Sequence, residues 1–224
     1  MQKFGFSIII LLMSGLMSFS FAQSFKINLN DLTQETQKMS QSADELTLIW
    51  WIPEEYWVVS FKQAPNMTET QIEEFVKVLR PYTLIVAVDG KIGAFGGATY
   101  VPKATIEQSI QIVDSNGEAF KPLTQDKIDA DTTNFLSMMK PVFSNMLGPM
   151  GQNMHFFLFP QKSSKGNDIA KATEEGSFTV KLGKREFSWR LPIGSVLPPK
   201  TCPDGCEGLS GAWKFCPWHG SALK

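Results

Sequence analysis

Before residue 202 the sequence contains no cysteine, and the whole chain has only two histidines, His155 and His219. A fold stapled by disulfides spread through its core is thereby excluded, because Cys202, Cys206 and Cys216 all fall close to the C-terminal end. Catalytic signatures are lacking as well. There is no G-x-S-x-G nucleophile elbow and no H-E-x-x-H zinc-protease helix. Nor is there an excess of either charge: 21 lysines and arginines face 22 aspartates and glutamates, a net charge of −1. That balance provides no basic footprint for nucleic acid and no polyanionic surface. After residue 22 no apolar run approaches the roughly 20 residues needed to cross a bilayer.

What is present begins with a leader. Lys3 supplies a positive start, Ile8 to Met13 open an apolar stretch, and Ser20-Phe21-Ala22 places small residues where a signal peptidase cuts. Residues 1–22 therefore read as a cleavable secretory signal, with the working chain beginning near Gln23 and delivered to the periplasm or outside the cell. The competing reading is a permanent anchor, against which Ser14, Gly15, Ser18 and Ser20 interrupt the apolar run. No cysteine follows it to carry a lipid. With the signal removed, the chain is expected to be soluble, with no transmembrane span.

Residues 23–197 read as one sheet-rich α+β unit. Residues 23–44 form a polar lead-in with some helical character. Leu46 to Ile52 has strand character and is stopped by Pro53, and Tyr56–Phe61 reads as a second strand. Thr68 and Gln71 make a capping box ahead of Ile72, Phe75, Val76 and Leu79 at helical spacing. Tyr82–Val88 reads as a buried strand, Asp89-Gly90 as a hairpin turn leading on to Tyr100, and Ile106 to Val113 as a further strand turned back at Ser115-Asn116-Gly117. A second helix covers about 125–147, kinked at Pro141 and stopped at Gly148-Pro149. Met154–Phe159 is another strand, a polar loop follows over 161–176, and Phe178–Leu191 is a hairpin turning at Gly183-Lys184. The fold class is α+β, mainly antiparallel and β-sandwich-like, with two helical segments. Alternation sends Trp50 and Trp51 to opposite faces of their sheet.

Leu197-Pro198-Pro199 is a linker, and residues 198–224 form a glycine- and cysteine-rich unit too short to fold by apolar burial alone. Cys202-Pro-Asp-Gly-Cys206 and Cys216-Pro-Trp-His219-Gly220 bring two pairs of soft or borderline ligands, three sulfurs and one imidazole, the set that closes a structural tetrahedral zinc. Residues 200–224 resemble a zinc ribbon, a family whose knuckles read Cys-Pro-x-x-Cys-Gly. Here His219 takes the place of the last cysteine, and three residues rather than two separate Cys202 from Cys206. The resemblance implies a fold and a structural Zn²⁺ held by Cys202, Cys206, Cys216 and His219, and no activity. In an oxidising compartment the alternative is a disulfide between two of the cysteines, leaving one thiol free. A catalytic zinc is disfavoured, since four protein ligands leave no position for water.

Other candidates compete with plainer uses. Glu54 and Glu55 could act as acid and base with each other or with Asp89, or could simply be solvated. Trp50, Trp51, Tyr56 and Trp57 could line a glycan or peptide groove, or pack a core. His155 reads as a core or sheet-edge residue. The Gly93–Gly97 segment lacks the lysine of a phosphate loop and reads as a bend. Met138, Met139, Met146, Met150 and Met154 read as packing. Trp213, Phe215 and Trp218 either dock onto the main body or face a partner, and docking is expected. The functional expectation is a non-catalytic binding or interaction module with a protein or glycan partner. The alternative is a hydrolase acting on glycans through Glu54, Glu55 or Asp89.

Overall fold

The structure, a computed structural model, describes residues 25–224; the leader read over residues 1–22 lies outside them. Helix α1 (Leu29–Thr36) starts where the Asn28 side chain accepts the Asn30 N–H at 2.9 Å. It leads into β1 (Gln37–Met39) and then β2 (Leu48–Ile52), buried at every position. Pro53 ends the strand and opens α2 (Glu54–Lys62), with two carboxylates in the first turn where the helix dipole favours them. The strand expected over Tyr56–Phe61 is thus a helix. Tertiary packing overrides β-propensity, because a helix lets both Tyr56 and Trp57 bury: Tyr56 meets Trp50 at 5.1 Å between ring centroids, and Trp57 meets Phe135 at 5.2 Å.

Helix α3 (Glu69–Lys77) carries the expected Thr68–Gln71 capping box, and β3 (Tyr82–Val88) is wholly buried. The hairpin expected at Asp89-Gly90 does not form. Both edges of β3 are already occupied, so the chain leaves the sheet and makes its own two-stranded ribbon from β4 (Gly90–Ile92) and β5 (Ala98–Tyr100). Gly90 suits that junction because a Cβ there would lie 2.8 Å from the Thr99 carbonyl oxygen. Helix α4 (Lys103–Ser109), entered at Pro102, replaces the first half of the strand expected from Ile106, and β6 (Ile110–Asp114) begins only after it. The turn to β7 (Ala119–Phe120) is as expected, with Asp114 accepting the N–H groups of Asn116 and Glu118. Helix α5 (Ala130–Gln152) runs through Pro141 and breaks at Gly148, whose φ of 57° and ψ of −131° leave helical space. The stop expected at Gly148-Pro149 is therefore seen as a break at the glycine, after which a short helical stretch runs on to Gln152.

The last strands are β8 (His155–Pro160), β9 (Gly176–Leu182) and β10 (Arg185–Leu191). Two four-stranded antiparallel sheets result, in the orders β1-β2-β3-β8 and β10-β9-β6-β7. In the first, Trp50, Val86 and Phe156 share a row, as do Trp51, Ile85 and Phe157 in the next. Trp50 accordingly faces α2 and α5, touching Tyr56 and Phe143, while Trp51 meets Phe178 and Trp189 of the second sheet at 5.0 and 6.5 Å. Each tryptophan is about 1 % exposed, so this aromatic set packs in the core. The class is α+β with antiparallel sheets, as expected, with five α-helices among the described residues where two helical segments were expected.

Three contacts fix the segment after β10. The Glu35 carboxylate accepts the N–H groups of Gly194 and Ser195 at 3.2 and 2.7 Å. A Cβ on Gly194 would overlap Ser210, and one on Gly211 would sit 2.5 Å from the Pro198 carbonyl oxygen. The backbone can approach this closely only without side chains. Lys214 adds an exposed ion pair to Glu175 at 2.7 Å.

Candidate metal centre

Beyond Pro199 the chain has almost no apolar core: Leu209 is the one buried aliphatic side chain beside Cys202 and Cys216, with Cys206 and Leu223 partly buried around them. Backbone pairing frames the segment instead. Lys200 bridges Leu209, Phe215 bridges Ala222, and Thr201 and Lys224 exchange hydrogen bonds at 3.0 and 3.1 Å. Each ligand pair sits on a tight turn. In the first, the Gly205 N–H bonds the Cys202 carbonyl, with Gly205 at φ 97°. In the second, the Gly220 N–H bonds the Cys216 carbonyl, with Gly220 at φ 70°. Both glycines occupy the left-handed region that other residues enter at a cost.

These turns aim four donor atoms at one point. The Cys202, Cys206 and Cys216 sulfurs and a His219 ring nitrogen all lie within 4.8 Å of one another. From His219 Nδ1 the three sulfurs are at 3.4, 3.6 and 3.7 Å. A tetrahedral ion with metal–sulfur bonds of about 2.3 Å and a metal–nitrogen bond of about 2.0–2.1 Å requires sulfur–nitrogen edges of about 3.6 Å. The side chains therefore have the dimensions of a tetrahedral Cys₃His site. All three cysteines are free of disulfides in this structure.

The electrostatics favour a cation. Burial raises the thiols of Cys202 and Cys206, and the neighbouring Cys216 sulfur adds to the rise. Burial acts on Cys216 in the same sense, but backbone N–H donation from His219 and Trp218 and S–H donation from the other two cysteines bring it down to about 7. Three sulfurs crowded around one imidazole need a positive charge to ionise together, and a divalent ion supplies it. Asp204, not singled out in the sequence, completes the surroundings. Its backbone N–H points to the Cys202 sulfur at 3.4 Å, and its carboxylate accepts from the Ser221 hydroxyl, tying one turn to the other. Its position two residues after the first ligand was the available signal.

Against protein families, curated proteins and solved structures, the chain finds no match. The geometry alone must carry the functional argument.

Asp89 is remote from the other acidic candidates, whereas Glu54 and Glu55 line one cavity. Glu54 is held by Arg80 at 2.7 Å. Asp89 is buried against Thr47 and Arg185 at the far end of the sheet. Leu48 pairs with Val88 and Ile52 with Leu84, so Asp89 and the two glutamates are separated by more than about 13 Å. That exceeds the span of two carboxyls flanking one glycosidic bond. His155 is half-buried on β8, where burial and then Lys140 and Lys103 depress its pKa. Gly93–Gly97 forms the tip of the β4–β5 hairpin. Of the methionines, Met154 is buried, while Met138 and Met146 are exposed.

The expected docking of Trp213, Phe215 and Trp218 onto the main body is overturned: they are 43 %, 63 % and 68 % exposed. The segment's few buried positions are taken by Cys202, Leu209 and Cys216, and the aromatic side chains are left outside.

Proposed function

We propose that this is an exported, non-catalytic interaction module whose C-terminal ribbon is closed by a structural Zn²⁺ and presents aromatic side chains to a protein or glycan partner. Zinc is the ion that suits the donor set: three thiolates and an imidazole at tetrahedral spacing are soft-to-borderline ligands, and four protein donors leave no position for a reacting water. Export rests on the leader read over residues 1–22.

The observation that carries the binding role is the exposure of Trp213, Phe215 and Trp218 on a segment of only about 25 residues. Large aromatic side chains dominate binding surfaces because they bring much contact area at small entropic cost. A metal-closed ribbon holds them rigid without needing to bury them. The near-neutral charge of the chain argues against nucleic acid as the partner.

The deciding measurement pairs metal content with a thiol count under denaturing conditions. One zinc per chain with three titratable thiols is expected. Absence of metal with one thiol would mean a disulfide and would end the zinc reading. For the binding role, a partner recovered by cross-linking the intact protein should be lost on substitution of Trp213 and Trp218 by alanine and on chelation. A partner retained through both would place the interaction elsewhere.

A further inference from the structure

At the end of the first sheet opposite Asp89, the first turn of α2, the start of β3 and the segment after β8 enclose a cavity of about 300 Å³. Its floor is apolar, with Trp51, Leu84 and Ala170 contributing, and its rim is charged. Three carboxylates on that rim, Glu54, Glu55 and Asp168, are matched by three cations, Arg80, Lys162 and Lys171. Almost all are occupied. Glu54 pairs with Arg80 at 2.7 Å, Asp168 with Lys162 at 3.8 Å, and Lys171 with Glu174 at 2.8 Å. Glu55 is the exception on this rim: its half-buried carboxyl makes no ion pair and accepts only from its own backbone N–H. The cavity wall also contains Trp57, whose buried indole N–H has no acceptor. Buried polar groups normally have partners, so an unpartnered indole N–H beside a half-buried carboxyl with no counter-charge marks a place where something else binds.

We propose that this cavity binds a small, neutral, polyhydroxylated molecule of monosaccharide size, with Glu55 as its principal hydrogen-bonding anchor. Three features select that class. The lining charges balance, so the site has no net field to attract an anion or a cation. The volume lies at the lower end for small-molecule sites, which suits a single ring and not an extended chain. The apolar floor beneath a polar rim matches a molecule with a C–H face and hydroxyls around its edge. A hydroxyl both donates and accepts, which is what a lone carboxyl on this rim needs. Burial, reinforced by Glu54, raises the Glu55 pKa. The Lys171 ammonium, paired with Glu174, keeps further N–H donors, and the Gln161 amide also lines the cavity. This site is separate from the ribbon, and its fate is independent of the metal.

The test is calorimetric titration of the intact protein with glucose, galactose, mannose and N-acetylglucosamine, followed in parallel by tryptophan fluorescence because Trp51 and Trp57 lie in the wall. Saturable binding of at least one sugar at about 10 mM or below is expected, unaffected by chelation. Glu55→Ala should weaken it by about tenfold or more, and Lys171→Ala, at an exposed position that leaves the fold intact, by a few-fold. Lysine and glutamate, as charged probes of comparable size, should not bind. No binding by any of the four sugars overturns the assignment, as does binding that survives Glu55→Ala or a preference for either charged probe. Failure here leaves the zinc ribbon untouched, and loss of the ribbon on chelation leaves this test intact.

Discussion

The guanidinium of Arg185 lies 2.8 and 2.7 Å from the two carboxylate oxygens of Asp89, a two-pronged bond from the second sheet to the end of β3 in the first. Thr47 joins it, donating to the same carboxylate at 2.9 Å. Burial alone would push the Asp89 pKa up, but these bonds outweigh it and hold it below the ordinary value. A depressed carboxylate contributes stability above its unfolded pKa and loses it as pH falls through the folded one. Asp89→Asn should cost about 2 kcal/mol at neutral pH, with the difference from the native protein closing below about pH 4. Denaturant unfolding across that range measures it, and a difference independent of pH would assign the cost to packing.

Glu55 should behave oppositely. Its folded pKa is raised, so its contribution is present below the unfolded value and is lost as pH rises through the folded one. Glu55→Gln, which cannot ionise, is expected to be more stable than the native protein at pH 7 by about 1 kcal/mol, and no more stable at about pH 3.5. Thermal melts at the two pH values are sufficient; a native protein equally stable relative to the variant at both would contradict the raised pKa.

Asp204 and Ser221 tie the two metal-ligand turns together without themselves being ligands. Ser221→Ala should lower zinc affinity by about tenfold, within the usual range for groups that orient ligands. Cys206→Ser should abolish stoichiometric binding. Competition with a chromophoric chelator gives both numbers, and hydrogen exchange should then show amide protection lost over residues 200–224 and kept in β2, β3 and β8.

Gly211 has no room for a methyl group, with Leu197 and the Pro198 carbonyl both 2.5 Å from where a Cβ would lie. Gly211→Ala should loosen the ribbon from its seat at a cost of about 1–3 kcal/mol. Faster proteolysis between Leu197 and Thr201, with zinc still bound, is the expected signature.

Trp218→Ala should leave stability within about 0.5 kcal/mol of the native protein, since the side chain is mostly in solvent. A larger loss of melting temperature would mean that the aromatic has a structural neighbour in solution.

How legible all this was depended on how local the deciding interactions are. The strands β2, β3 and β8 announce themselves as unbroken apolar runs because they are covered on both faces. The Phe178–Leu191 hairpin shows in its alternation, and α3 shows in the Thr68–Gln71 box. The four metal ligands were readable for the same reason: each pair sits within five residues, on a turn whose glycine is also in the sequence. Helix α2 was not read, although Pro53 followed by Glu54 and Glu55 is a helix start; the β-propensity of Tyr56, Trp57, Val58 and Val59 obscured it. The pairings of Arg185 with Asp89 and of Glu55 with its cavity join segments about 100 residues apart, and no local pattern encodes them. The exposed aromatics of the ribbon defeated the rule that large apolar groups bury, because too little chain remained to cover them.

The bonds made by Glu35 have a consequence for the order of assembly. Its carbonyl accepts from the Trp189 indole, and its carboxylate from Gly194 and Ser195, partners more than 150 residues later in the chain. Helix α1 is synthesised well before these partners, yet it cannot complete these contacts until β10 has arrived. Eight residues are too few for a helix to be stable alone in water. The start of the described chain is therefore among the last parts to settle, and a chain interrupted before residue 189 would leave the Glu35 carbonyl and carboxylate without these partners.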